Sequence, residues 1–243
     1  MRRAFALLSS SRPVISDEAR VALFYHLISA GDPELAESLH RPVRYRSFAF
    51  GVRPVPGGLG VLVTSLDPRV ARAFVEGCAR ERRFTLGRAT LWVEECCYLP
   101  DEPAEVLNSG RLDLWCVSPV TVSRPLGPEG RKRCLVLHEQ PEAFEEALAG
   151  NLRRKTQALL GIDPGEVTVR FERRYFAGKR CAAVLRLYGG NVIGFRCPCV
   201  VEGPPAALEV AIYAGLGERT GSGCGAVLRD VNRAFFGRWE NGF

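Results

Sequence analysis

Three kinds of residue in this 243-residue chain could carry chemistry. The histidines, His26, His40 and His138, each offer a proton-transfer group that titrates near neutral pH. Nine cysteines offer thiolates for metal binding or nucleophilic attack. The run "GLGERTGSGCGAV" (Gly215–Val227) places five glycines in eleven residues, a backbone bare enough to close on a phosphate or on another chain segment. A nucleotide P-loop is excluded, because that motif needs Gly-Lys-Ser/Thr opening a helix, whereas Gly225-Ala226-Val227 leads into a strand-like run. A dinucleotide fingerprint fails as well, since no helix follows the first glycines at the required offset. Cys96-Cys97 and Cys197-Pro198-Cys199 lack zinc-site spacing, and there is no C-x-x-C pair. The expectation is therefore reduced, mostly buried thiols, with no metal and no cofactor.

Composition narrows the partners. With 47% hydrophobic and 25% charged residues the chain is globular. The net charge is +6, and only three of its 33 cations are lysine (Lys132, Lys155, Lys179). Arginine's flat fork of donors suits phosphates and base edges, so the bias points to a nucleic-acid partner; GC-rich coding produces the same bias. No apolar stretch approaches the ~20 residues of a membrane span, and Met1-Arg2-Arg3 opens no secretory leader, so a cytoplasmic protein without membrane contact is expected.

The elements that must position these groups read as follows. A strand at Arg3–Leu8 precedes a helix capped by Ser16, whose buried face carries Val21, Phe24 and Ile28. Gly31 ends it, and Asp32-Pro33-Glu34 starts a second helix running to His40, with Pro42 just beyond. Strands at Tyr45–Val52 and Gly58–Ser65, a helix at Pro68–Arg80 and strands through Phe84–Tyr98 complete a β-α-β-β-α-β unit. Leu99–Gly110 is polar and turn-rich, a natural boundary. The second half repeats the plan: strand Leu112–Ser123, helix Pro141–Leu160, strands Val167–Arg173, Cys181–Tyr188 and Ile193–Val201, then Leu208–Tyr213 running into the glycine loop. The fold class expected is α+β: tandem ferredoxin-like (RRM-like) domains, residues 1–105 and 110–243, with antiparallel sheets and helices on one face.

The spacing Gly215-Leu216-Gly217, five residues, Gly223-Cys224-Gly225 resembles the C-terminal signature of the repeat-processing endoribonucleases of CRISPR systems, members of the RAMP superfamily. In that family a strand typically precedes the loop, which contains a basic residue; here Arg219 takes that place, while Cys224 stands where an aromatic is usual. "LFYHLISAGDPELAESLHRPVRYRSFAF" (Leu23–Phe50) looks like the family's segment with a tyrosine, a histidine and a basic residue. By that resemblance Tyr25, His40 and Arg46 hold the three catalytic positions, with Arg44 as the alternative to Arg46. "LWCVSPVTV" (Leu114–Val122) resembles the strand opening the second domain.

The resemblance implies metal-independent cleavage of CRISPR repeat RNA (pre-crRNA), leaving a 5′-hydroxyl and a 2′,3′-cyclic phosphate. The alternative is a RAMP subunit that binds guide RNA in an effector complex without cutting it. RNA supplies its own nucleophile, the 2′-hydroxyl, and histidine is the natural base for it. Arg46 stays charged, so its role would be to stabilise the transition state. His26 is expected to face away from Tyr25, and His138 to be solvated. RNA contacts are expected from the clusters Arg124–Arg133 (Arg131 and Lys132 in particular), Arg153-Arg154-Lys155, and Arg170 to Arg180, and from Gly215, Gly217, Arg219, Gly223 and Gly225 of the loop. A monomer and a homodimer are both compatible with the family.

Overall fold

The computed structural model describes residues 1–12, 15–56, 58–126, 131–178 and 181–229. The first half consists of β1 (Arg3–Ser10), α1 (Asp17–Gly31), α2 (Pro33–His40), β2 (Phe48–Val55), β3 (Gly58–Ser65), α3 (Pro68–Arg80), β4 (Arg83–Leu86) and β5 (Ala89–Leu99). Its antiparallel sheet has the order β2-β3-β1-β5-β4. With the β4 edge hairpin set aside, this is the ferredoxin-like arrangement, in which the two central strands are the first and third of the unit. The helices start where local chemistry supplies a cap. Ser16 Oγ accepts from Ala19 N, Asp32 Oδ1 from Leu35 N, and Asp67 Oδ1 from Arg69 N. Helix α2 is short because the residue before Pro42 is driven out of the helical region, and this fixes His40 as its last residue. Beneath the helices Phe24 stacks on Phe48 and Phe50, with ring centroids 5.3 and 4.2 Å apart.

The second half contains α4 (Ala104–Asn108), β6 (Arg111–Cys116), β7 (Ser123–Leu126), β8 (Arg131–Cys134), α5 (Pro141–Leu160), β9 (Thr168–Phe171), α6 (Arg173–Gly178), β10 (Ala182–Leu187), β11 (Gly190–Phe195), β12 (Cys199–Glu202), α7 (Pro205–Tyr213) and β13 (Val227–Arg229). Its main sheet runs β13-β6-β12-β9. Without the β7–β8 hairpin, α6 and the β10–β11 hairpin, the order of elements and of strands repeats that of the first half. The fold is thus a tandem pair of ferredoxin-like units with antiparallel sheets.

Several local expectations are corrected. Leu208–Tyr213, which runs into the loop where the family typically has a strand, belongs to helix α7. Five apolar residues in a stretch of six read alike for a buried strand and a buried helix, and Pro205 in the first turn settles it as a helix. Ile193–Val201 splits into β11 and β12, which lie in different sheets, with Pro198 in the break. The strand expected from Tyr45 begins at Phe48, so Arg44 and Arg46 lie in the loop before it. The turn-rich stretch Leu99–Gly110 carries the short helix α4.

The halves meet through a third apolar cluster. Phe5, Ala49, Leu62 and Leu99 of the first sheet pack against Val117, Ala226 and Leu228 of the second half. Beside it Glu102 accepts from Arg3 Nη1 at 2.5 Å and pairs with Arg229 Nη1 at 3.1 Å, with the Arg3 and Glu102 side chains both under 5% exposed. The Glu102 amide donates to Tyr213 Oη at 2.9 Å. No helix among the described residues is long and apolar enough to cross a membrane.

Candidate active site

A cleft of about 1580 Å³ opens between the halves, walled by α1, the end of α2, the 41–47 loop, the β7–β8 and β10–β11 hairpins, α5 and the glycine loop. Tyr25 on α1 and His40 at the end of α2 stack ring on ring, with centroids 4.3 Å apart and 26° between planes. Tyr25 Oη donates to Gly221 O of the glycine loop at 3.2 Å. Arg46 Nη1 donates to Leu39 O at 2.5 Å, and its stem lies along Gly221, where a Cβ would stand 3.1 Å from Cγ and 3.2 Å from Nε. Tyr25 and Arg46 therefore meet at one backbone position contributed by the other half of the chain, and His40 rests on the Tyr25 ring beside them. Burial, with Tyr188 adding to it, pushes the Tyr25 phenol above its usual range against the opposing charge of Arg46. It is a proton-bearing donor at neutral pH. His40 is exposed to the cleft. Arg44 is exposed too, but its guanidinium stands over the Tyr45 ring at 5.4 Å, so the contacts of these two arginines separate them.

Of the two uses open to the glycine loop, closing on a phosphate or on another chain segment, the contacts of its glycines are of the second kind. Gly215, Gly217, Gly223 and Gly225 all have φ between 73° and 81° or at 70°, the left-handed region. The space each leaves is filled by protein. A Cβ on Gly215 would stand 2.6 Å from Ala49 Cβ, on Gly217 2.3 Å from Thr121 O, and on Gly225 2.0 Å from Leu216 O. Gly223 faces the Phe50 ring at 3.3 Å. Gly215, Gly217 and Gly225 are buried, so the assignment of these glycines to RNA is replaced by a packing role: they seat the loop on β2 and on the β6–β7 connection. Cys224, in the place of the family's aromatic, is buried against the first half's core, and burial pushes its thiol up to about 12.

Lys155 is a second correction. Arg153 and Arg154 are exposed, but successive helical positions are 100° apart, and Lys155 falls on the core side with Leu148 and Leu152. It is 2% exposed, and its Nζ donates to Ala214 O at 3.3 Å and Gly215 O at 2.9 Å, holding the start of the glycine loop. Burial lowers its pKa to about 7, with Glu218 opposing.

The remaining basic residues frame the cleft. Arg219, exposed at φ 59°, and Lys132, 3.9 Å from Glu218, line it together with Arg154. Arg154 is shared with an adjoining groove that also carries Arg124, Arg153 and Arg170. Arg173 is engaged by Glu142 and Glu145. Arg131 is described only as the β8 partner of Leu126, and Lys179 and Arg180 lie outside the described residues. His26, expected to face elsewhere, lines the same cleft with its ring 4.6 Å from Phe84, while His138 is exposed as expected. Among the described residues no three His, Cys, Asp or Glu side chains are grouped to hold a metal ion.

The family model for CRISPR associated protein Cas6, C-terminal, matches residues 102–228, just over half of the chain. The chain belongs to the Cas6 family. Among solved structures it is similar to a Cas6-related protein from Pyrococcus furiosus, with 16% identity, a TM-score of 0.75, and coverage of 94% of this chain and 98% of that one. It is also similar to a RAMP protein described as binding different RNA substrates (16% identity, TM-score 0.74, 94% and 99% covered). A product complex of Cas6 from Thermus thermophilus matches with 19% identity, a TM-score of 0.69, and 94% and 98% covered. At these identities the likeness carries the fold. No curated protein matches the chain. Against the Cas6 glycine signature, the residue that sequence reasoning missed is Gly221. It sits inside the five-residue spacer, where the pattern assigns nothing, and its only sequence signal is being one more glycine.

Proposed function

We propose that this protein is an endoribonuclease that cuts CRISPR repeat RNA by attack of the RNA's own 2′-hydroxyl, with Tyr25, His40 and Arg46 as the acting residues. The observation that carries this reading is the meeting of Tyr25 and Arg46 at Gly221, with His40 stacked on Tyr25, in a cleft edged with cations, in a member of the Cas6 family. His40 takes the proton from the 2′-hydroxyl, whose oxygen attacks phosphorus. The P–O5′ bond breaks as the P–O2′ bond forms, leaving a 2′,3′-cyclic phosphate. The departing 5′-oxygen gains a proton from the Tyr25 hydroxyl, which burial keeps protonated. Arg46 compensates the extra charge of the phosphorane and hands over no proton. No step calls for a metal, because the nucleophile, the base and the charge-stabilising group are all organic.

The test is to incubate the protein with labelled repeat RNA in EDTA and identify the ends. A 5′-hydroxyl and a cyclic phosphate support the reading. Bound but uncut RNA across several repeats would instead favour an RNA-holding RAMP subunit, and cleavage abolished by EDTA would overturn metal independence.

Two further outcomes are expected. Gly221→Ala sets a methyl against the Arg46 stem at 3.1 to 3.4 Å, a contact that a flexible side chain relieves by moving. Cleavage should fall about tenfold, the size of effect that follows a small misplacement of a reacting group, while the thermal midpoint stays close to wild type. Equal activity in a single-turnover assay would remove Gly221 from the site. Arg153→Glu with Arg154→Glu should weaken repeat binding and flatten its dependence on salt by about two units of log–log slope, since each lost phosphate contact removes about one. Unchanged affinity at low salt would show that α5 faces no RNA.

A further inference from the structure

The β10–β11 hairpin is an insertion between the second and third strands of the second unit, yet it is bound to the first half. Leu185, Leu187 and Val192 belong to the first half's core cluster. The Arg186 amide donates to Asp17 Oδ2 and the Tyr188 amide to Glu18 Oε1, each at 2.9 Å. Both acceptors lie in the first turn of α1, the helix that carries Tyr25. The hairpin tip is therefore held at a fixed place relative to the catalytic tyrosine.

Leu187 pairs with Gly190, so the turn has two residues, Tyr188 at φ 53° and Gly189 at φ 75°. Positive φ at both positions is the type I′ turn, whose first place favours Asn, Asp or Gly. A tyrosine there sits in the left-handed region at a cost to the fold of order 1 kcal/mol. The fold recovers little from its ring, which is 68% exposed and lines the cleft. Tyr188 is also near enough to raise the Tyr25 phenol. A strained backbone holding an unburied aromatic beside reacting groups points to a ligand that the ring meets.

We propose that Tyr188 is a base-stacking residue, its ring taking the face of an RNA base next to the scissile phosphate and so setting that phosphate against Tyr25 and His40. This rests on the endoribonuclease reading above. Stacking on an aromatic tolerates any base, so Tyr188 would supply register along the strand rather than sequence choice. The cations at the cleft edge hold phosphates, and the ring holds the base between them.

The experiment compares wild type, Tyr188→Asn and Tyr188→Phe on repeat RNA carrying 2-aminopurine beside the cleaved bond. Asparagine suits the turn, so Y188N should melt at or above the wild-type temperature. It should nevertheless lose affinity by ten- to a hundredfold, as removal of one stacking platform does. The quenching of 2-aminopurine seen on binding wild type should diminish in Y188N and persist in Y188F. Y188N binding, quenching and cutting as wild type does would overturn the inference while leaving the nuclease reading intact. Equal losses in Y188F and Y188N would overturn it too, since they would assign the effect to the hydroxyl. Wild type that neither binds nor cuts the RNA would bring down the nuclease reading itself.

Discussion

His40→Ala slows cleavage of repeat RNA by 10²- to 10⁴-fold and leaves RNA affinity nearly unchanged. That span is what removing a general acid or base costs. The split between the two quantities follows from placement. His40 is at the end of α2 with its ring on Tyr25, whereas the exposed cations are carried by α5, the β7–β8 hairpin and the glycine loop. Losing the imidazole removes an aromatic face from the Tyr25 stack but none of the cations of the adjoining groove. Single-turnover rates with enzyme in excess, alongside filter binding at the same salt, separate the two effects. Full activity in the variant would remove His40 from the chemistry. A parallel collapse of affinity would make it a binding residue.

Glu102→Gln should be strongly destabilising. It leaves the buried Arg3 guanidinium, and that of Arg229, without the carboxylate between them. Breaking a buried ion pair from one side costs about 3–5 kcal/mol, because the remaining charge stays out of water. For a chain of this length each kcal/mol moves the melting temperature by about 2–4 °C, so a fall of roughly 6–20 °C is expected. Arg3 is on β1, Arg229 on β13 and Glu102 on the connection between the halves, so the loss should appear as separation of the halves as well as a lower midpoint. A shift of only a degree or two by differential scanning calorimetry would mean that the pairs are solvated and of little weight. Replacing all three by Met, Leu and Met should recover much of the loss, since packed apolar side chains carry no stranded charge.

Much of this arrangement was legible in the sequence where the signal is local. A cap and a proline placed α2 at Pro33–His40, and the helices expected at Pro68–Arg80 and Pro141–Leu160 are α3 and α5 as observed. The repeated β-α-β-β-α-β order gave the fold class, and the signature glycines pointed to the segment that reaches Tyr25. What failed was non-local. Leu208–Tyr213 is buried and apolar but for Glu209, which pairs with Arg2, and so short an apolar segment carries no periodicity that separates helix from strand. Lys155 reads as one cation of three until the helix is seen to turn it under the glycine loop. The glycines look like a phosphate cradle until Ala49, Thr121 and Leu216 are found in the spaces they leave. Each miss concerns what lies opposite a residue, which no stretch of sequence states.

The Tyr25–Gly221 hydrogen bond joins residues 196 positions apart, and the two halves are each a complete sheet with its own helices. Neither half by itself holds the finished trio, because the backbone that seats Tyr25 and Arg46 arrives from the other. The site is then an assembly product of the seam, and its integrity reports on docking as directly as any interface contact. A ligand that bound only the docked halves would by mass action favour docking by an amount that grows with the logarithm of its concentration over its Kd. Substrate would thus act as a third structural element, stiffening at the moment of use the joint on which its own cleavage depends.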